Sequence, residues 1–333
     1  MNILSIDGGG IRGIIPGQVI VALEHKLQQI KNDPSFRIAD AFDLIAGTST
    51  GGILTCLYLC PDSQSPARSR FTAQDAVNLY LENGDDIFDV GFFKKFTSVG
   101  GLTDEKYSAD ALEKILRRYL GDLKLSQLLK PCLITAYDIY ARKAKFFNQQ
   151  DTKGGSSLTD DFYVRDVARA TSAAPTYFEP ANITSFDRSV YPLVDGGTFA
   201  NNPAMCACVE AFGYDSSLKI TDLKVLSIGT GSADKPYHYS EAKNWGKLGW
   251  VGPVLDIMFD GVSDTVDYQL KMLFNSAGVP KQYLRLQVDL GEHPEVDSAM
   301  DNASKENMRA LEKVGKTLAA THDAELQAFA SFL

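Results

Sequence analysis

The opening of the chain alternates two apolar patterns, and this alternation constrains the fold more than any other sequence feature. Asn2–Ile6 and Phe42–Ala46 are short apolar runs, which are typical of strands. Each is followed by a glycine-rich turn and by apolar residues at helical spacing, at Ile14–Ile30 and Thr50–Leu59. This strand–helix–strand–helix order predicts an α/β fold of three α/β/α layers around a mostly parallel central sheet.

Later segments continue the alternation. We predict strands at Cys132–Asp138, Ala144–Asn148, Tyr191–Asp195, Lys224–Ile228 and Tyr283–Val288, and helices at Ala73–Glu82, Ala109–Leu120, Val164–Ser172, Ala204–Phe212 and from Ser304 onward. The first helix should bury one stripe, formed by Ile15, Val19, Leu23, Leu27 and Ile30. Because no repeat or composition shift marks a boundary, we expect one domain over 1–333, with the core motifs in 3–203 and with 204–333 completing the sheet and its helical cover.

Composition excludes several classes of protein. Hydrophobic residues make up 44% of the chain, which is enough for a packed core, and the net charge of −9 gives no chain-wide attraction for nucleic acid. The N-terminal residues lack a signal-peptide pattern, and no run of about 18 apolar residues predicts a membrane-spanning helix. The five cysteines match no zinc-binding spacing. We therefore expect a cytoplasmic protein with free thiols and neither metal nor cofactor.

A candidate nucleophile lies between the second strand and its helix. Gly47–Gly51 reads G-x-S-x-G, the pattern of a nucleophile elbow, in which a serine occupies a tight turn from strand to helix. Small neighbours let the two elements approach, and the hydroxyl of Ser49 would stand at the helix N-terminus, where negative charge is stabilised. The alternative is an ordinary turn in which Ser49 only caps the helix.

The glycine-rich turn after the first strand has two interpretations. Gly8, Gly10 and Gly13 satisfy G-x-G-x-x-G, the fingerprint of a dinucleotide-binding loop. That fingerprint requires an acidic residue at the end of the second strand, whereas Asp33 lies in a loop and Asp43 lies at the strand's start. The sequence therefore favours the second interpretation, an oxyanion hole.

In the oxyanion interpretation, backbone N–H groups of Gly8, Gly9 and Gly10 converge on a negatively charged oxygen at the N-terminus of the first helix. Parallel strands would place this loop beside the serine turn, at the carboxyl edge of the sheet. Arg12 is adjacent, and three roles are open to it: stabilising the anion, binding a lipid phosphate, or bracing the loop.

A nucleophilic serine needs a base, and Asp195 is the strongest candidate. It follows an apolar strand and precedes two glycines that keep its carboxylate accessible, although Asp-Gly also forms ordinary turns. The rival is a histidine after Asp195, as in α/β-hydrolases. However, His238, His293 and His322 all lie away from strand ends, and only one strand–helix unit precedes Ser49.

Four blocks carry a resemblance to a known family, in the family's own order: Asp7–Gly13, Gly47–Gly52, Ala168–Phe178 and Asp195–Pro203. Together they resemble the patatin family of lipid acyl hydrolases, over most of the chain from Ile6 to about Pro203 and more weakly beyond. The resemblance implies a catalytic dyad of Ser49 and Asp195 without histidine, and an oxyanion hole in the Gly8–Gly10 loop with Arg12 beside it. It also implies that the substrate is an ester of a membrane glycerolipid.

A lipid substrate implies transient contact with a membrane surface. Two segments combine aromatic residues, lysines and glycines in a way that suits this contact, Ile87–Phe96 and Asn244–Val251, although either would also suit a protein core. Two alternative functions stay open: a nucleotide-activated effector of the same fold that degrades membranes, and a nucleotide-binding module. The sequence also leaves open a homo-oligomer and a small-molecule activator.

Overall fold

A computed structural model describes residues 1–87, 108–153, 160–232, 236–246 and 249–333. Its strands are β1 (Asn2–Ile6), β2 (Leu44–Thr48), β3 (Cys132–Asp138), β4 (Lys143–Asn148), β5 (Ala181–Thr184), β6 (Val190–Asp195), β7 (Lys224–Ile228) and β8 (Tyr283–Leu286). Its helices are α1 (Ile14–Lys31), α2 (Ile38–Ala41), α3 (Thr50–Tyr58), α4 (Ala73–Ile87), α5 (Asp110–Leu120), α6 (Val164–Thr171), α7 (Gly197–Ala200), α8 (Ala204–Tyr214), α9 (Tyr239–Ala242), α10 (Val251–Ser276), α11 (Lys305–Thr321) and α12 (Asp323–Ala330).

Within the described residues these strands form a single sheet. The order is β5-β6-β3-β2-β1-β7-β8, and β4 also pairs with β3. Five neighbouring strands are parallel to one another, namely β3, β2, β1, β7 and β8. Strands β4 and β6 run antiparallel to β3. The prediction of an α/β fold with a mostly parallel central sheet is confirmed.

Two strands, β2 and β6, pair one after the other along the same edge of β3. On this edge, β2 pairs with residues 132–135 of β3 and β6 pairs with residues 136–138. The other edge of β3 is occupied by β4, which pairs with residues 133–138. The last residue of β2, Thr48, is opposite Thr135, and the last residue of β6, Asp195, is opposite Ala136. The carboxyl ends of β2 and β6 therefore meet head to head.

Helices cover both faces of the sheet. Along β1, Ile3 faces a smaller apolar cluster that includes α8 and α10, whereas Leu4 faces a larger cluster that includes α1, α3 and α11. This alternation follows from the two-residue period of a strand, and it produces the predicted three layers.

Three departures from the predicted elements have local causes. Ile30 is 41% exposed, contrary to its expected place in the buried stripe, because it lies in the last turn of α1 between two exposed residues. The sequence does not predict helix α10, because its apolar residues occupy two opposite faces, which hides the helical period. The sequence does not predict strand β5, because its four residues are too few to form a recognisable apolar run.

Candidate active site

Ser49 occupies the predicted turn between β2 and α3. Its backbone has φ 55° and ψ −122°, a region that residues with a Cβ rarely adopt. The neighbouring glycines permit this turn: a Cβ on Gly47 would lie 2.2 Å from the Gly51 carbonyl oxygen, and one on Gly51 would lie 2.2 Å from the carbonyl oxygen of Ile6. The Ser49 N–H donates to Thr171 Oγ1 at 2.9 Å, which fixes the turn against α6.

Asp195 lies directly across from this turn, at the end of β6, and its side chain is buried. Its carboxylate accepts a hydrogen bond from the Gly197 N–H at 2.7 Å, and it lines the same pocket as Ser49. Burial raises the pKa of Asp195 from 3.8 to about 7, although the nearby Ser49 hydroxyl and the Gly197 N–H act in the opposite direction. A carboxyl group with a pKa near neutrality is well matched to accept a proton from a serine hydroxyl.

Gly8 has a different role from the one expected. Its N–H donates to the Asn201 carbonyl at 3.1 Å, and its carbonyl accepts from Thr230 Oγ1 at 2.6 Å. Both backbone groups are therefore occupied, so Gly8 braces the loop in this structure and has no N–H left for an oxyanion.

Gly9 and Gly10 present the available donors of this loop. Neither N–H donates to any described residue, and both glycines line the pocket that contains Ser49. Gly10 has φ 59°, and a Cβ there would lie 2.1 Å from the Met300 carbonyl oxygen, so only glycine fits. The arrangement offers two N–H groups to a developing negative charge beside Ser49.

The pocket above Ser49 and Asp195 is largely apolar. Its apolar lining comes from several helices and loops: Ile53, Ile87, Leu112, Phe178, Phe259 and Met300. Such a lining suits a hydrocarbon chain, and by limiting water it strengthens the electrostatic interactions within the site.

Arg12 lies outside this pocket and lines a neighbouring cavity. Its side chain is buried, and Nη1 donates to the Ser298 carbonyl at a long 3.4 Å. Burial lowers the pKa of Arg12, and the negative charges of Asp260 and Asp256 counteract that effect. Arg12 is thus adjacent to the glycine loop, as expected, but its guanidinium faces a separate space.

The histidines of the chain lie elsewhere in the described structure. None of the four histidines lines the Ser49 pocket, and His25 and His238 are exposed. No cluster of His, Cys, Asp or Glu in the described part of the chain is arranged to hold a metal ion. No described helix combines the length and apolar character needed to cross a membrane.

Sequence reasoning missed the residue that anchors the start of the glycine loop. Arg285 on β8 donates to both carboxylate oxygens of Asp7, at 2.9 and 2.6 Å, and also to Ser227 Oγ at 2.8 Å. Nothing near Arg285 in the sequence signals a partner so far away along the chain. In contrast, Thr171 and Asn201 lie inside two of the four blocks that carry the family resemblance, so the sequence does point to their neighbourhood.

Comparisons with known proteins identify the family of this chain. The sequence profile of the family described as "Patatin-like phospholipase" matches residues 4–207. Patatin-like protein 4 of Arabidopsis thaliana is 35% identical, with 97% of this chain and 84% of that protein covered. Patatin-like protein 3 of Arabidopsis thaliana is 34% identical (96% and 80% covered), and patatin group D-2 of Solanum tuberosum is 34% identical (96% and 83% covered). The chain belongs to the patatin-like phospholipase family.

Proposed function

We propose that this protein is a lipid acyl hydrolase that releases fatty acids from membrane glycerolipids through an acyl-enzyme on Ser49. The observation that carries the proposal is that Ser49, held in a strained turn, shares one pocket with the buried carboxylate of Asp195. Strained backbone at a reactive side chain is a feature of functional sites. The family membership supports the same reaction class.

In the first half of the reaction, Ser49 Oγ attacks the carbonyl carbon of the ester while its proton passes to Asp195. The negative charge on the former carbonyl oxygen is held by the N–H groups of Gly9 and Gly10. The tetrahedral intermediate then collapses, the bond to the leaving alcohol breaks, and the alcohol oxygen takes the proton from Asp195. The acyl group remains bonded to Ser49.

In the second half, a water molecule attacks the acyl carbonyl and gives its proton to Asp195. The bond to Ser49 Oγ breaks, the fatty acid leaves, and the proton returns from Asp195 to the Ser49 oxygen. The same carboxylate thus acts as base and then as acid in both halves, and no cofactor is required.

The nucleotide-binding alternative has weaker support. A dinucleotide site needs a polar space for a pyrophosphate at the loop and an acidic residue at the end of the second strand, whereas the adjoining pocket is largely apolar and β2 ends in Gly47 and Thr48. The direction of this loop toward Ser49 supports an oxyanion site instead.

The test of the dyad is covalent labelling followed by turnover. A fluorophosphonate probe should label the wild type and fail to label Ser49→Ala. Asp195→Asn should lower the rate of liposome hydrolysis at least about 10³-fold, measured by mass spectrometry of the released products. Ser172→Ala is the matched control, because Ser172 also lines the pocket but donates to the Ala168 carbonyl of α6, the helix that it follows. Labelling that survives in Ser49→Ala, or full activity of Asp195→Asn, would contradict the proposal.

We also propose that one face of α10 contacts the membrane during action. Trp250 and three residues of the helix, Val254, Ile257 and Met258, are between 38% and 48% exposed, and they lie on one side of the helix. Trp250 packs edge to face on Trp245 of the predicted interfacial segment. Phe259, on the opposite and buried side of the same helix, lines the catalytic pocket, so the helix that carries this exposed face also forms part of the pocket wall. The other predicted segment, Ile87–Phe96, lies outside the described residues after Ile87.

The double variant Trp250→Ala/Ile257→Ser should weaken binding to phosphatidylcholine vesicles about tenfold or more, since it removes two exposed apolar side chains. Hydrolysis of a water-soluble ester should change much less. Val209→Ser is the control, because Val209 is 61% exposed and lies on a different helix, α8. An equal loss of vesicle binding in the control would contradict membrane contact through α10.

A further inference from the structure

The two members of the candidate dyad are carried by different strands. Ser49 follows β2 and Asp195 ends β6, and each of these strands pairs with β3. The backbone ladder therefore fixes each strand against β3, whereas the separation of the two side chains also depends on what joins the two strand ends to each other. Proton transfer from a serine to a carboxylate needs their oxygens within hydrogen-bond reach, so this separation controls the reaction.

A pair of buried threonine hydroxyls lies at this junction. Thr48 is the last residue of β2, Thr135 is opposite it on β3, and both are fully buried. Their Oγ1 atoms are 2.7 Å apart, and Thr48 Oγ1 is 2.6 Å from the carbonyl oxygen of Ala200. Because a carbonyl oxygen can only accept, the single hydroxyl proton of Thr48 goes to Ala200, and Thr135 donates to Thr48. The hydroxyl groups thus form a directed chain from Thr135 through Thr48 to Ala200.

This hydroxyl chain reaches the turn that carries the base. Ala200 ends α7, the short helix that begins two residues after Asp195, and the Ala200 N–H donates to the Gly196 carbonyl at 2.9 Å. Gly196 itself packs on Thr135, since a Cβ at Gly196 would lie 2.0 Å from Thr135 Oγ1. The residue before Ser49 and its partner on β3 therefore hold both ends of the turn that follows Asp195.

The glycine loop is connected to the same segment. Asn201 follows Ala200, and its carbonyl accepts the Gly8 N–H at 3.1 Å. The Thr48 methyl group also faces this loop, since a Cβ at Gly8 would lie 3.4 Å from Thr48 Cγ2. Neither Thr48 nor Thr135 lines the catalytic pocket, so either can influence catalysis only through the residues that it holds.

We propose that Thr48 and Thr135 are positioning residues whose hydroxyl chain sets the distance between Ser49 and Asp195. The inference rests on the proposed function and adds to it two residues that do not contact the substrate. Removing the Thr48 hydroxyl leaves the Ala200 carbonyl without this donor and Thr135 without its acceptor, so we expect α7 to shift. A displacement of about 1 Å at a reacting group can lower a rate about 100-fold.

Kinetics with a water-soluble ester would test the positioning role. Thr48→Val replaces the hydroxyl by a methyl group, and we expect kcat and the rate of fluorophosphonate labelling to fall about 100-fold, while KM changes less than about threefold. Thr48→Ser keeps the hydroxyl and should restore kcat to within about fivefold of the wild type. Thr135→Val keeps the bond to Ala200 and should lower kcat about tenfold, so it provides the test if Thr48→Val does not fold.

Crystal structures of the wild type and of the valine variant would measure the distance directly. The separation of Ser49 Oγ from the nearer carboxylate oxygen of Asp195 should be longer in the variant. Thr55→Val is the matched control, because Thr55 is fully buried and donates to a carbonyl, that of Gly51 at 2.9 Å, but this bond lies within α3. Its kcat should stay near that of the wild type.

Three results would overturn the inference: an unchanged distance in the valine variant, equal losses of kcat in that variant and in Thr55→Val, or no recovery of kcat in Thr48→Ser. If the wild type hydrolyses no ester, the proposed function fails. The two crystal structures still decide whether the hydroxyl chain sets the distance between Ser49 and Asp195.

Discussion

Ser49 has a backbone conformation that raises the free energy of the folded state. At φ 55° and ψ −122° a residue with a Cβ is strained by about 1–3 kcal/mol, whereas glycine adopts this region freely. The turn persists because β2 and α3 are fixed by packing on both sides. This strain holds the hydroxyl toward Asp195, so it is part of how the site is built.

The strain predicts a difference between two variants that both lack the hydroxyl. Ser49→Gly should be more stable than Ser49→Ala by about 1–2 kcal/mol, because only glycine relieves the backbone. Urea unfolding monitored by circular dichroism would measure it. Equal unfolding midpoints for the two variants would show that the turn is unstrained in solution.

Asp195 predicts the pH dependence of the reaction. Its pKa of about 7 means that below neutrality the carboxyl group is protonated and cannot accept the proton of Ser49. We expect kcat/KM for a soluble ester to rise about tenfold per pH unit up to about pH 7 and then to level off. A profile that is already level at pH 5 would contradict the raised pKa.

The same raised pKa predicts a stability cost at neutral pH. Because the folded pKa lies above the ordinary value of 3.8, the folded state binds more protons between these values, and the free energy of unfolding falls as pH rises through that window. Asp195→Asn removes this cost, so it should stabilise the protein by about 2–4 kcal/mol at pH 8 and much less at pH 4. Thermal unfolding at both pH values would measure it; an equal effect at both would contradict the linkage.

At the scale of elements, the close approach of β2, α3 and β1 depends on glycines without room for a side chain. Gly51→Ala should destabilise the fold by about 1–3 kcal/mol or more, because the new Cβ would meet the backbone of Ile6. Gly213→Ala on α8 is the control: nothing lies within 4 Å of its Cβ position, and alanine there should stabilise by about 0.5–1 kcal/mol. Chemical unfolding of both variants would test the pair, and a tolerated Gly51→Ala would contradict the packing.

The elements were predictable where their pattern is local. The β2 strand, the Ser49 turn and α3 follow from an apolar run, small residues and helical spacing within one short segment. The direction of β6 did not follow, because an apolar run reports that a strand exists but not which neighbour it pairs with or how it runs. The head-to-head meeting of β2 and β6 on one edge of β3 therefore appears only in the folded sheet.

At the scale of the molecule, a buried ion pair connects β8 to the glycine loop. Arg285→Met would leave the Asp7 carboxylate buried without its partner, and we expect a loss of about 3–5 kcal/mol in the free energy of unfolding. Asp7→Asn combined with Arg285→Met should recover part of this loss. Lys316→Met, which breaks the exposed pair with Glu312, should cost less than about 1 kcal/mol. Equal losses in the buried and exposed cases, measured by urea unfolding, would contradict this account.

By itself, the sequence determined the α/β class, the strained serine turn, the candidate dyad and the family resemblance, because these depend on local patterns and on blocks in a fixed order. Only the tertiary structure decided that Gly9 and Gly10, and not Gly8, have free donors, and that Arg12 faces a second cavity. The physical reason is that hydrogen-bond partners and cavity walls come from residues far apart in the chain. Asn201, Met300 and Arg285 become neighbours of the glycine loop only in the folded protein.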